Sequence, residues 1–221
     1  MKVMRILVCI CWLSTTVFGQ QSPPTMTKIV ARLDAPKVTE GSFAAMPKAM
    51  YRAGTRYCRI EESSDNEHGI HGLIIFNEPD EWLINLLTKT GKHLTDPGPT
   101  FNCRLPIFVN VEDIKSAADV NKPLMGLEFG RERAFFVERG ATPTQGPTLQ
   151  GKPTRVYTVR IADSQLFLFT NGDSERPVAV ARQRGNTQET YWFGEYEEIP
   201  FDAKLFARPE GVNIEEVRPY P

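Results

Sequence analysis

The stretch from Arg155 to Phe193 limits the fold most, because it reads as consecutive strands with little choice of partner. Four runs, residues 155–161, 165–170, 178–184 and 187–193, are rich in β-branched and aromatic side chains. Polar turns join them: Ala162-Asp163-Ser164, then Asn171-Gly172-Asp173 running on to Pro177, then Gly185-Asn186. Asn-Gly between alternating apolar residues is a strong hairpin signal, because both residues tolerate positive φ, and Gly-Asn is a weaker relative of it. The stretch therefore predicts an antiparallel meander.

Side chains alternate with period 2 along a strand, so these turns sort the residues onto two faces. One face carries Tyr157, Val159, Ile161, Phe167, Phe169, Ala179, Ala181, Thr190 and Trp192, with no charge. Large aromatics stand opposite two alanines there, which leaves room for a ligand. Tyr157, Val159, Phe167, Phe169, Ala179, Ala181 and Trp192 are the expected lining of an apolar cavity. The other face mixes Arg160, Arg182 and Glu189 with Val156, Thr158, Leu166, Leu168, Val180, Tyr191 and Phe193, and is expected to be partly solvated. A slip of one residue in any turn exchanges the two lists.

Residues 1–19 have a different character. Lys2 and Arg5 lead into an apolar run at 6–13, and Val17-Phe18-Gly19 precedes Gln20. Basic, then apolar, then small is the pattern of a secretory signal peptide, and this run is too short to span a bilayer. Cleavage after Gly19 is expected, followed by one domain over 20–221 in a periplasmic or secreted setting. Loss of the two cations takes the formal charge from −1 to −3. Nothing strongly basic remains, so nucleic acid is not an expected partner. Removing nineteen of 221 residues leaves 202, enough for one all-β or α+β domain with a sizeable core.

The rest of the chain reads mostly as strands. Weak alternation marks 26–33. Runs 47–52 and 56–62 flank Ala53-Gly54-Thr55, and runs 72–77 and 81–87 flank Glu78-Pro79-Asp80, both with turn chemistry. Residues 90–95 continue the meander to Asp96-Pro97-Gly98-Pro99. Asn110 is a suitable N-cap for a helix over 111–120, with Ile114, Ala117 and Ala118 at helical spacing and Glu112 and Asp113 in the first turn. Residues 127–129 and 133–138 suggest a hairpin around Gly130, and 141–153 a loop. Asp202 introduces a short helix at 203–207, and 212–217 is left as a tail. The expected class is α+β, mainly antiparallel β, with one or two helices laid on a face of a large sheet.

Several of these segments together resemble a known family. They are the hairpin from Tyr51 through Ala53-Gly54-Thr55 to Glu61, the segment with Asn77, Asp80-Glu81-Trp82 and Ile84-Asn85, the long meander, and the closing Ile199-Pro200-Phe201-Asp202 with Pro209-Glu210-Gly211-Val212. The pattern is similar to the periplasmic lipoprotein-carrier superfamily of LolA-like and LppX-like proteins, over roughly Thr25 to Val217. The resemblance implies an unclosed antiparallel half-barrel whose concave apolar side is lidded by helices. It also implies a lipid or acyl-chain ligand, with envelope lipoproteins or membrane-associated proteins as further partners. Such carriers usually open with a helix. Residues 25–35 give no amphipathic helix here, so the lid falls mainly to 111–120.

Sites of chemistry are sparse. His68-Gly69-Ile70-His71 is the only close pair of imidazoles; it sits in a polar turn with no zinc-ligand motif, so a solvated loop is expected and no metal. Gly-x-Ser-x-Gly, phosphate-loop and dinucleotide glycine patterns are absent, and no cofactor or catalytic residue is expected. Cys58 and Cys103 are the cysteines outside the leader. An even count in an exported chain favours a disulfide, with two buried free thiols as the alternative. Three function classes follow: a carrier of amphiphiles, acting as a monomer; a non-catalytic regulatory or scaffold domain working through protein–protein contacts; and an enzyme, for which no constellation is present. The first is favoured.

Overall fold

The computed structural model describes residues 23–96, 98, 100, 102–108 and 124–217. The leader at 1–19 and the helix expected at 111–120 lie outside the described residues. Among the described residues twelve strands form one open sheet. In chain order they are β1 (Thr25–Asp34), β2 (Lys48–Ala53), β3 (Tyr57–Glu62), β4 (Gly72–Asn77), β5 (Asp80–Asn85), β6 (Thr90–Thr95), β7 (Thr144–Gln145), β8 (Thr154–Ile161), β9 (Ser164–Asn171), β10 (Pro177–Arg184), β11 (Thr187–Pro200) and β12 (Asn213–Glu216). Across the sheet the order is β12-β6-β5-β4-β3-β2-β1-β11-β10-β9-β8-β7. Two meanders, β2–β6 and β8–β11, are joined where β11 returns to pair with β1 from Thr25↔Pro200 to Asp34↔Thr190. The sheet does not close on itself. With α1 (Glu132–Glu138) as the single α-helix among the described residues, it is the unclosed, mainly antiparallel arrangement expected.

Register decides which side chains meet. Across β9, β10 and β11 the pairing is as expected: Phe167 opposes Ala181, Phe169 opposes Ala179, and Thr190 and Trp192 flank the same alanines from β11. β8 differs by one residue. Ser164 belongs to β9 and pairs with Ile161, so the turn is Ala162-Asp163 alone, with Ala162 at φ 49°. A two-residue turn with positive φ matches the twist of the flanking strands. Dropping one residue from the turn moves Tyr157, Val159 and Ile161 onto the face of Leu166 and Leu168. Tyr157 and Val159 are thus on the opposite side of the sheet from Phe167, Phe169, Ala179, Ala181 and Trp192.

The face bearing Tyr157 is the inner one. Ile29, Met50, Leu166, Leu168 and Val180 share it and form one core with Leu105, Ile107, Leu127, Phe135 and Phe136 from the segments laid over them. Residues 133–138 are part of that cover as helix, where a hairpin strand was expected. Glu132, Phe135 and Phe136 are the buried residues of α1. The Phe-Phe pair favours a strand locally, but only helical i, i+3, i+4 spacing turns both rings and Glu132 toward the sheet.

The outer face of β2–β5 has its own cover. Met26, Ala53, Leu73, Ile75, Trp82 and Ile84 pack under Phe206, Phe201 and Leu205. Asp202 caps the 3-10 turn Ala203–Phe206 by accepting from the Lys204 N–H at 2.9 Å. This segment lies on the outer face, not at the open end of the sheet that residues 200–212 were expected to close. Residues beyond it are not a loose tail either. β12 adds to the β6 edge in parallel, from Asn213↔Thr90 to Glu216↔His93. His93 fastens it: Nδ1 lies 2.5 Å from Glu216 and Nε2 2.9 Å from Asp80, with the ring stacked on Trp82. Burial works against the imidazolium, but the hydrogen bonds to Glu216 and Asp80 outweigh it and hold its pKa above the usual value.

Phe206 is fully buried, with Phe201 and Tyr57 rings at 5.5 and 5.4 Å. Phe206→Ala is expected to cost about 3–5 kcal/mol from lost transfer energy and the cavity left behind. Denaturant unfolding reads this as a lower midpoint; a midpoint equal to the parent's contradicts the packing described.

Candidate functional site

The inner cover is a two-rung ribbon followed by α1. In the ribbon the Ile107 N–H donates to the Leu127 carbonyl at 3.0 Å and the Phe129 N–H to the Leu105 carbonyl at 2.8 Å. Its attachment springs from one cross-strand pair, Arg52 on β2 opposite Cys58 on β3. Cys58 is bonded to Cys103, with Cα atoms 6.1 Å apart. Arg52 Nη1 donates to Glu128 Oε2 at 2.6 Å and to the Phe129 carbonyl at 3.1 Å. Arg52 and Glu128 are each only 4% exposed. Gly130 lets the chain pass close over Arg52: it has φ 82°, and an added Cβ would press on the Arg52 Cδ at 3.1 Å. Removing either charge would strand the other in a buried site, at a cost of roughly 3–5 kcal/mol.

Glu132, at the start of α1, is completely buried. It accepts from the Tyr196 hydroxyl at 2.7 Å and from the Gly130 N–H at 2.9 Å. Burial pushes its carboxyl up to about 7, against those hydrogen bonds and the nearby Arg52, which favour the carboxylate.

Beside this cover lies an open apolar cavity of about 600 Å³ on the inner face. Its floor is a cross-strand row: Met50 opposes Ile60, Ile60 opposes Ile74, and Ile74 opposes Leu83. The row continues inward to Ile29 on β1. Exposure rises along it from 0% at Ile29 and 3% at Met50 to 38% at Leu83, so the cavity deepens toward β1 and opens toward β5. Leu105, Pro106, Phe129 and Tyr191 form the wall under the ribbon. The Phe129 ring meets Tyr191 edge-on at 5.2 Å, which fixes the wall to β11. Ala44, Met46, Lys48 and Glu62 make the rim. The volume falls within the range usual for small-molecule sites.

None of the seven residues expected to line a cavity lines this one. Tyr157 is buried beneath α1, with Arg133 Nε 3.5 Å from its hydroxyl, and Val159 packs against the same core. Phe167, Phe169 and Trp192 are half-buried on the outer face. Ala179 and Ala181 between them are fully buried, so the space opposite the alanines is already filled. Trp192 borders a crevice of only about 100 Å³, below the size of a usual ligand site. The floor residues were open to discovery from sequence. Leu73-Ile74-Ile75-Phe76 is apolar without alternation, the signature of a strand covered on both faces. Of the loop histidines, His68 pairs with Asp65 at 2.8 Å, and His71 lies 3.5 Å from Glu61. No group of three or more metal-ligating side chains occurs among the described residues.

No protein-family model and no curated protein matches the chain. Among solved structures it is similar to an uncharacterized conserved protein from Thermus thermophilus, at 10% identity and TM-score 0.48, over 89% of this chain and 91% of that one. It is also similar to PNGF-II, at 9% identity and TM-score 0.34, over 88% of this chain and 31% of that one. A LolA superfamily protein from Nitrosomonas europaea aligns at 11% identity and TM-score 0.33, over 85% and 91%. All three likenesses are distant.

The raised Glu132 pKa carries a sign. An acid whose folded pKa stands above its unfolded value favours the fold while neutral. Its contribution is complete below the unfolded pKa of about 4.5 and declines as pH rises through about 7. Glu132→Gln stays neutral, and the Tyr196 hydroxyl can turn to accept from the amide. The variant is expected to gain stability relative to the parent between pH 4.5 and 8, by at most about 3 kcal/mol. Unfolding midpoints that run parallel across that range contradict this.

Proposed function

We propose that this protein binds the apolar chain of an amphiphile in the inner-face cavity, as a carrier or binding protein for lipid-type ligands in the cell envelope. The observation that carries the reading is the Met50–Ile60–Ile74–Leu83 floor, a row of aliphatic side chains left open beside a fastened cover. Each CH₂ of an acyl chain buried there contributes about 0.8 kcal/mol, so affinity needs few polar contacts. An exported setting fits the basic-then-apolar leader at 1–19 and the Cys58–Cys103 bond, which persists in oxidising compartments. The binding step asks for no metal, cofactor or nucleophile.

A second reading, a regulatory or scaffold domain acting through protein contacts, is favoured by the outer aromatic patch of Phe167, Phe169 and Trp192, whose two phenylalanine rings stack at 6.2 Å. The two readings use opposite faces and separate cleanly.

Ile74→Trp fills the middle of the floor from a partly exposed position. It is expected to weaken uptake of a fluorescent fatty acid by about tenfold or more, the effect of displacing two or more methylenes. Its melting temperature should stay near the parent's. Unchanged uptake by the folded variant overturns the cavity reading, and contacts made through Trp192 should be indifferent to the substitution.

A further inference from the structure

Only two charged residues line the cavity among those described, and they are paired with each other. Lys48 on β2 stands opposite Glu62 on β3, with Nζ 3.2 Å from Oε1. Both are about 30% exposed, at 30% and 29%, so they meet solvent and cavity at once. Each is also seated by its surroundings. The Lys48 ammonium sits 4.9 Å over the Phe43 ring. Glu62 lies against Gly72 on β4, where any side chain would collide with its carboxylate. The mouth of an apolar cavity therefore presents one cation and one anion side by side.

We propose that the ligand is an amphiphile with a zwitterionic head, its anionic group on Lys48 and its cationic group on Glu62. The inference rests on the binding reading of the same cavity and adds the chemistry of the head. A purely anionic head would gain Lys48 but set a second negative charge beside Glu62, which has lost its partner. A purely cationic head meets the mirror problem at Lys48. An uncharged head leaves the existing pair intact and gains nothing from it. A zwitterion replaces one ion pair by two and leaves no charge at the rim unmatched. The Phe43 ring next to Lys48 adds a face on which an alkylated ammonium can rest.

The test uses the full chain and three ligands of equal acyl length: a lysophosphatidylcholine, a monoacylglycerol and a fatty acid. Each displaces a fluorescent acyl probe below its micelle concentration. The parent is expected to hold the lysophosphatidylcholine about fivefold or more tightly than the fatty acid, the scale of one partly exposed ion pair. Glu62→Gln should reverse this order, because only the cation remains. Lys48→Met should bring the lysophosphatidylcholine down to the monoacylglycerol, and Lys48→Arg should keep the parental preference. Equal displacement by all three ligands in parent and variants overturns the zwitterion proposal and leaves the cavity reading standing. Failure of all three to displace the probe overturns the cavity reading itself.

Discussion

Arg52 and Cys58, side by side on β2 and β3, hold the inner cover to the sheet. One supplies a covalent tether to Cys103 and the other a buried ion pair to Glu128, so both arms of the ribbon are fixed at one place. The two tethers differ in kind. The disulfide constrains the unfolded chain as much as the folded one, whereas the ion pair exists only once the ribbon has docked and water has left. Arg52 further donates to the Phe129 carbonyl, and Phe129 is a wall of the cavity. The shape of the cavity thus follows from how the ribbon is pinned.

This pinning also explains the division of the sheet. A large open sheet has two faces to cover, and among the described residues a different segment lies on each. The ribbon and α1 cover the inner face chiefly from β1 across to β8–β11. The Phe201–Phe206 segment covers the outer face of β2–β5. Among the described residues, β3, β4 and β5 are therefore backed on the outside and partly open on the inside. The apolar concavity lies on this half, its floor strands packed on their other face by the Phe201–Phe206 segment. On the other half the arrangement is reversed, with the inner face packed and the outer aromatics half in water.

Much of the strand order could be read from local chemistry. Gly185-Asn186 and the Asn171-Gly172 stretch marked turns whose pairing is the expected one, and Asp202 marked its cap. The failures came where one residue or one distant partner decides. Ala162-Asp163 is a turn without Ser164, and that single residue sends Tyr157 and Val159 to the other face. Alanine carries no preference for positive φ, so nothing local announced the shorter turn. Phe135-Phe136 favours a strand in isolation, and only the core beneath it selects a helix. The return of β11 to β1 and the parallel addition of β12 to β6 depend on pairings far apart in sequence, which periodicity does not reveal. Lys48 and Glu62 lie fourteen positions apart, and only the β2–β3 register sets them side by side at a cavity mouth.

The most direct measurement is paramagnetic broadening in methyl NMR spectra with a fatty acid carrying a nitroxide near its chain end. Binding in the cavity predicts strong broadening of the Ile60, Ile74 and Leu83 methyls, with Ala179 and Ala181 on the far half of the sheet untouched. Broadening centred on Ala179 and Ala181, or spread evenly over the surface, would contradict a lipid-binding inner face.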